Sequence, residues 1–126
     1  MLVAIAVGGA FGATLRYLVS LYFGSLLGVI FPWGTLAINL SGSFFTGMLH
    51  SFTLAGTLSS QSRSFAAIGL LGAFTTFSTF TLESLIMLRE GDVFRAIVYM
   101  VVSTALGVLG AFIGLGTGQM LGGGGM

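Results

Sequence analysis

The chain has 126 residues, 56% of them hydrophobic and 6% charged, with a net charge of +1 and no cysteine. A soluble domain carries about 25% charged residues, so this composition cannot cover a surface in water and indicates an integral membrane protein. The charge balance gives no basic footprint for nucleic acid, and the lack of cysteine excludes disulfide and thiolate chemistry.

A membrane-spanning helix needs roughly 20 residues, so four spans joined by short loops fill the chain and leave no room for a soluble domain. Span one is expected over residues 2–23. It starts apolar at Leu2 with no basic stretch before it, so it reads as a true span and not as a cleaved signal. Gly8, Gly12, Arg16 and Ser20 recur every four residues and so share one helical face.

Span two is expected over residues 33–54, with Pro32 placed just at its start and Trp33 at the membrane interface. It carries a polar stripe, Thr35, Asn39, Ser43, Thr46 and His50, at steps of 4, 4, 3 and 4. Such a stripe serves either as glue between membrane helices or as the wall of a pathway. An amide in a bilayer needs a partner, and that of Asn39 both donates and accepts. His50, near the end of the span, reads as interfacial.

Span three is expected over residues 65–88 and contains GLLGAFTTFSTFTLE at Gly69–Glu83. Hydroxyls and glycines at that density weaken a helix where lipid demands one. Non-helical backbone at that depth survives only when buried in protein or lining a polar cavity. A broken third helix that forms part of a site is therefore expected. Phe77 and Phe80 lie three apart on one face. Ring edges carry positive potential, so the pair either lines a dry anion path or packs as ordinary core. Arg16 and Glu83 are the charges set within spans. They are expected to face the bundle interior, to pair with each other or with polar groups, or to snorkel.

Span four is expected over residues 96–115. Tyr99 and Ser103 lie one turn apart, with Gly107 on the next turn. The tail, 116–126, is glycine-rich and is expected to be flexible. The whole chain, 1–126, reads as one all-α transmembrane domain. Short loops give an up-down-up-down bundle with both termini on one side. One side then holds Arg63 and the other Arg89 and Arg95, a weak orientation bias that permits insertion both ways. There is no metal-ligand cluster, P-loop or nucleophile motif, and few carboxylates, so an enzyme is not expected.

Together, GGAFGATLRY at Gly8–Tyr17, PWGTLAINLSGSFFTG at Pro32–Gly47 and the Gly69–Glu83 block resemble the Fluc (CrcB-type) fluoride channel family, in order and in chain length. The resemblance implies a four-span protein of the bacterial plasma (inner) membrane. It implies an antiparallel, dual-topology homodimer with two pores that export fluoride passively. Asn39 matches the pore asparagine that donates to fluoride, and Phe77 and Phe80 match the pore phenylalanines. Gly72 and Thr75 match positions whose backbone carbonyls hold a central structural sodium ion. Arg16 matches a vestibule arginine, and Thr79, Glu83, Tyr99 and Ser103 match polar positions of the fluoride path. Gly107 departs from the family, which has a hydroxyl there. Two other readings are a four-span proton-coupled drug exporter, which wants a membrane-buried carboxylate, and an accessory subunit whose polar residues only join helices.

Overall fold

In the computed structural model, which describes residues 1–123, no strand occurs among the described residues and nearly all of them are helical. Helix α1 spans Leu2–Leu27 and α2 spans Trp33–Leu54. A short α3, Ser60–Arg63, leads directly into a π-helical segment, Ser64–Leu71, and then into α4, Gly72–Phe74. Helix α5 spans Phe77–Arg89 and α6 spans Val93–Gly118, followed by π turns over Gln119–Gly123. Helix α1 runs four residues past the expected end at 23, and α6 starts at Val93 and continues beyond 115. Gly116–Gly118 of the expected flexible tail are thus helical, and residues 124–126 lie outside the described residues.

Three helical stretches are long and apolar enough to cross a membrane: Leu2–Leu27, Ser60–Arg89 and Val93–Gly122. Helix α2 is as long as a span but carries the polar stripe, which lowers its hydropathy. Large apolar side chains cover the outside of the bundle, among them Phe11, Leu18, Phe94 and Phe112. That outer surface is what lipid or another protein must cover.

Two seams of small residues hold the bundle together. Helix α1 lies against the π segment so closely that a Cβ on Gly8 or Gly12 would collide with the carbonyl of Phe65 or Leu70. Helices α2 and α6 meet in the same way, with Gly47 against the Ala111 carbonyl and Gly114 against that of Phe44. Lipid tails are as apolar as leucine, so close backbone approach and dispersion replace the hydrophobic drive in such contacts. A compact core of Leu36, Met87, Ala96 and Tyr99 closes the bundle where α2, α5 and α6 converge. Gly91, at φ 83°, ends α5 and lets Asp92 N–H return to the Met87 carbonyl before α6 begins.

The third apolar stretch is interrupted. Thr75 (φ −77°, ψ 155°) and Thr76 (φ −148°, ψ 121°) are extended between α4 and α5. Helix α5 then starts on a side-chain cap, with Thr76 Oγ1 accepting from Thr79 N–H at 3.2 Å.

Candidate functional site

The interruption at Thr75–Thr76 organises the polar residues around it. Asn39, projecting from α2, meets Thr76 with both ends of its amide. Its Nδ2 donates to the Thr76 carbonyl at 2.9 Å, and its Oδ1 accepts from Thr76 N–H at 2.8 Å. A flipped amide would oppose two donors and two acceptors, so this orientation is fixed by the network. Nδ2 carries two protons and only one is spent on Thr76. Asn39 also lines two cavities. One, of about 270 Å³, is shared with Thr75, Thr76, Phe77, Phe80, Ser103 and Thr104. The other, of about 210 Å³, is shared with Ser43, Thr46, Thr75 and Ala111.

The phenylalanine pair forms one wall of the first cavity. The ring centroids of Phe77 and Phe80 are 5.9 Å apart at 46°. Phe77 is 77% exposed, so it is not core packing within this chain. Phe80 is half-buried and leans on Tyr99, with centroids 5.1 Å apart. On the far wall the Ser103 hydroxyl is buried with no hydrogen-bond partner. An unsatisfied buried hydroxyl is costly unless something polar arrives to take it.

Glu83 stands on the next turns of α5. Its Oε1 accepts from the Tyr99 hydroxyl at 2.8 Å and its Oε2 from Thr35 Oγ1 at 3.0 Å. It borders a separate, larger cavity of about 460 Å³ at the end of the bundle, lined also by Ser20, Phe31, Trp33, Glu90 and Arg95. Tyr99 is fully buried between Glu83 and Phe80. It therefore joins the two cavities through packing.

Arg16 does not pair with Glu83. Its Nε donates to the Ala73 carbonyl at 3.0 Å, at the C-terminal end of α4. The structure thus brings Asn39, Phe77, Phe80 and Ser103 around one cavity. Glu83 and Tyr99 stand one layer away, and Arg16 lies behind the break. Thr79 contributes its backbone N–H to the Thr76 cap and does not line either cavity beside Asn39. Gly107 faces α2, where an added Cβ would lie 3.7 Å from Ser43 Oγ. Sequence reasoning did not single out Thr76 or Thr104. A threonine just before a helical run is an N-cap signal, but only the fold shows that the Thr76 N–H meets Asn39.

The carbonyls of Gly72 and Thr75 also stand apart. A continuous α-helix would supply them with the N–H groups of Thr76 and Thr79. Here Thr76 N–H goes to Asn39 and Thr79 N–H to Thr76 Oγ1. Among the described residues no backbone N–H reaches either carbonyl. Two neutral, hard oxygens left free at one break are a donor set that suits a hard cation.

An all-helical bundle with an apolar exterior and a polar, partly unsatisfied seam inside is a membrane protein. The chain belongs to the CrcB-like family: residues 3–115 match the family described as CrcB-like protein, Camphor Resistance (CrcB). It is similar to a protein of Thermus thermophilus named fluoride-specific ion channel FluC, with 44% identity over 117 residues, 93% of this chain and 92% of that one. A protein of the same name from Shewanella halifaxensis is 40% identical over 110 residues, 87% of this chain and 89% of the relative. Fluoride-specific ion channel FluC 1 of Nitrobacter hamburgensis is 44% identical over 113 residues, 89% of each chain.

Proposed function

We propose that this chain is a fluoride-selective channel that lets fluoride leave the cell passively and so lowers its cytoplasmic concentration. It is a channel and not an enzyme, and the drug-exporter reading finds no support among relatives named as fluoride channels. The observation that carries the pathway is the cavity beside Asn39, walled by Phe77 and Phe80 and closed by the unpartnered Ser103 hydroxyl.

Fluoride is small and holds water strongly, so its path must replace that water with close donors. The second Nδ2 proton of Asn39 and the Ser103 hydroxyl are such donors. The edges of Phe77 and Phe80 add positive potential without a fixed charge that would trap the ion. Tyr99, Glu83 and Thr79 set the positions of these walls, and Arg16 holds the Ala73 carbonyl behind the break.

Four spans are assigned to α1, α2, the interrupted stretch Ser60–Arg89, and α6. The exposed Phe77 and the apolar exterior support assembly as an antiparallel, dual-topology homodimer in the bacterial inner membrane. The free Gly72 and Thr75 carbonyls support a structural sodium ion between the two copies. When bound it supplies positive charge at bilayer depth and satisfies those oxygens. Passive efflux of fluoride, measured against chloride from liposomes holding the purified protein, tests the reading. Equal flux of both ions, or none, overturns it.

A further inference from the structure

The hydroxyl-rich block at Thr75–Thr81 weakens a helix, but it does not by itself choose the residue at which the helix breaks. Helices kink at proline, at glycine or serine pairs, at π-bulges, or where a side chain enters the bonding ladder. Residues 73–80, AFTTFSTF, contain neither proline nor glycine, and the one proline of the chain is Pro32. The π segment ends at Leu71, before the break. The Thr76 cap starts α5 but does not end α4.

Two side chains from other helices sit on two successive rungs of the missing ladder. The first rung would join Thr76 N–H to the Gly72 carbonyl, and Asn39 Oδ1 takes its donor at 2.8 Å. The second would join Phe77 N–H to the Ala73 carbonyl, and Arg16 Nε donates to its acceptor at 3.0 Å. Asn39 also holds the Thr76 carbonyl, so the two peptide groups that flank the Thr76 Cα cannot both turn back to helix without losing two bonds.

We infer that Arg16 and Asn39 are positioning residues that keep the third helix broken by each claiming one half of two consecutive helical hydrogen bonds. This rests on the proposed channel reading, in which the freed Gly72 carbonyl holds sodium. Asn39 then has two duties. One amide proton faces the anion cavity, while the rest of the amide keeps an oxygen free on the cation side. Loss of Asn39 removes the cation site together with the anion donor. Arg16 acts on the same break without lining the anion cavity.

The test uses the full-length protein in lipid nanodiscs, labelled with 13C,15N-threonine, with sodium chloride against N-methylglucamine chloride. Asn39→Leu and Arg16→Met keep bulk and remove the competing group. In each, and more fully in the double variant, the Thr76 Cα and Cβ chemical shifts are expected to move from extended to helical values. The sodium concentration at the midpoint of thermal stabilisation is expected to rise at least tenfold. Arg16→Lys keeps a donor for the Ala73 carbonyl and is expected to retain extended Thr76 shifts.

Extended Thr76 shifts in the double variant overturn the inference, because the break is then local. If the double variant does not accumulate, unmoved shifts in both single variants overturn it equally. A wild-type protein with no sodium response sinks the sodium site alone, and the threonine shifts still decide the clamp.

Discussion

The Tyr99 hydroxyl donates to Glu83 Oε1 across 2.8 Å, while the Tyr99 ring lies 5.1 Å from that of Phe80. One buried residue therefore fixes both the carboxylate that borders the large cavity and the aromatic wall of the anion cavity. Thr35 holds the other carboxylate oxygen from α2. The three side chains tie α2, α5 and α6 at one level.

Tyr99→Phe keeps the ring against Phe80 and removes only the donor. A hydrogen bond to a charged group contributes about 1.5–3 kcal/mol, so the melting temperature in detergent should fall by several degrees. Thr35→Val removes the other donor. The double variant should lose more than the sum of the single changes, because Glu83 is then left in the bilayer with neither partner. Strict additivity of the two melting shifts would falsify a shared hold on Glu83.

Phe77→Ile and Phe80→Ile separate the polarised ring edge from mere bulk. Phe77 is exposed in the single chain, so its replacement costs no packing within one copy and should reduce fluoride flux in liposomes at least tenfold while the protein still folds. Phe80 leans on Tyr99, so its replacement should lower both flux and stability. Wild-type flux in a folded Phe77→Ile protein removes the phenylalanine wall from the pathway.

Dual topology predicts that a cysteine introduced at Gly56, in the loop after α2, reacts with a membrane-impermeant maleimide in intact cells and again from the cytoplasmic side in inverted vesicles. About half of the copies should label from each side. Labelling from one side alone contradicts antiparallel assembly.

The glycine seam between α2 and α6 gives a stability test with its own control. Gly47→Ala puts a methyl group into the Ala111 carbonyl, and overpacking of this kind typically costs about 1–3 kcal/mol or more. Gly24→Ala in α1 meets nothing within 4 Å, and alanine is favoured over glycine in a helix by about 1 kcal/mol. Thermal unfolding should show the first variant destabilised and the second unchanged or raised.

The long apolar helices were legible because lipid imposes one periodicity and one length on the chain, and α2 starts at Trp33, where Pro32 marks the start. Helix ends were less legible. Nothing in residues 24–27 or 116–118 forbids a helix, and α1 and α6 run through them. The hydroxyl-rich block at Thr75–Thr81 marked where the third stretch is interrupted, since those side chains compete with the backbone. Asn39 was legible as a polar group needing a partner. That the partner is the Thr76 backbone was not, because it depends on where α2 meets the break, 37 residues on in sequence. Arg16 was open between Glu83, a polar group and the membrane interface for the same reason: a long side chain chooses among partners that only the folded backbone sets out.

The close helix seams also constrain the gene. Every glycine codon begins with two guanines, and any change at either position replaces glycine by a residue with a side chain or by a stop. At Gly8, Gly12, Gly47 and Gly114 even the smallest of these replacements sets a carbon where a backbone carbonyl already stands. The contacts that let this bundle cohere in lipid without a hydrophobic drive are thus also the codons at which ordinary mutation has least room to wander.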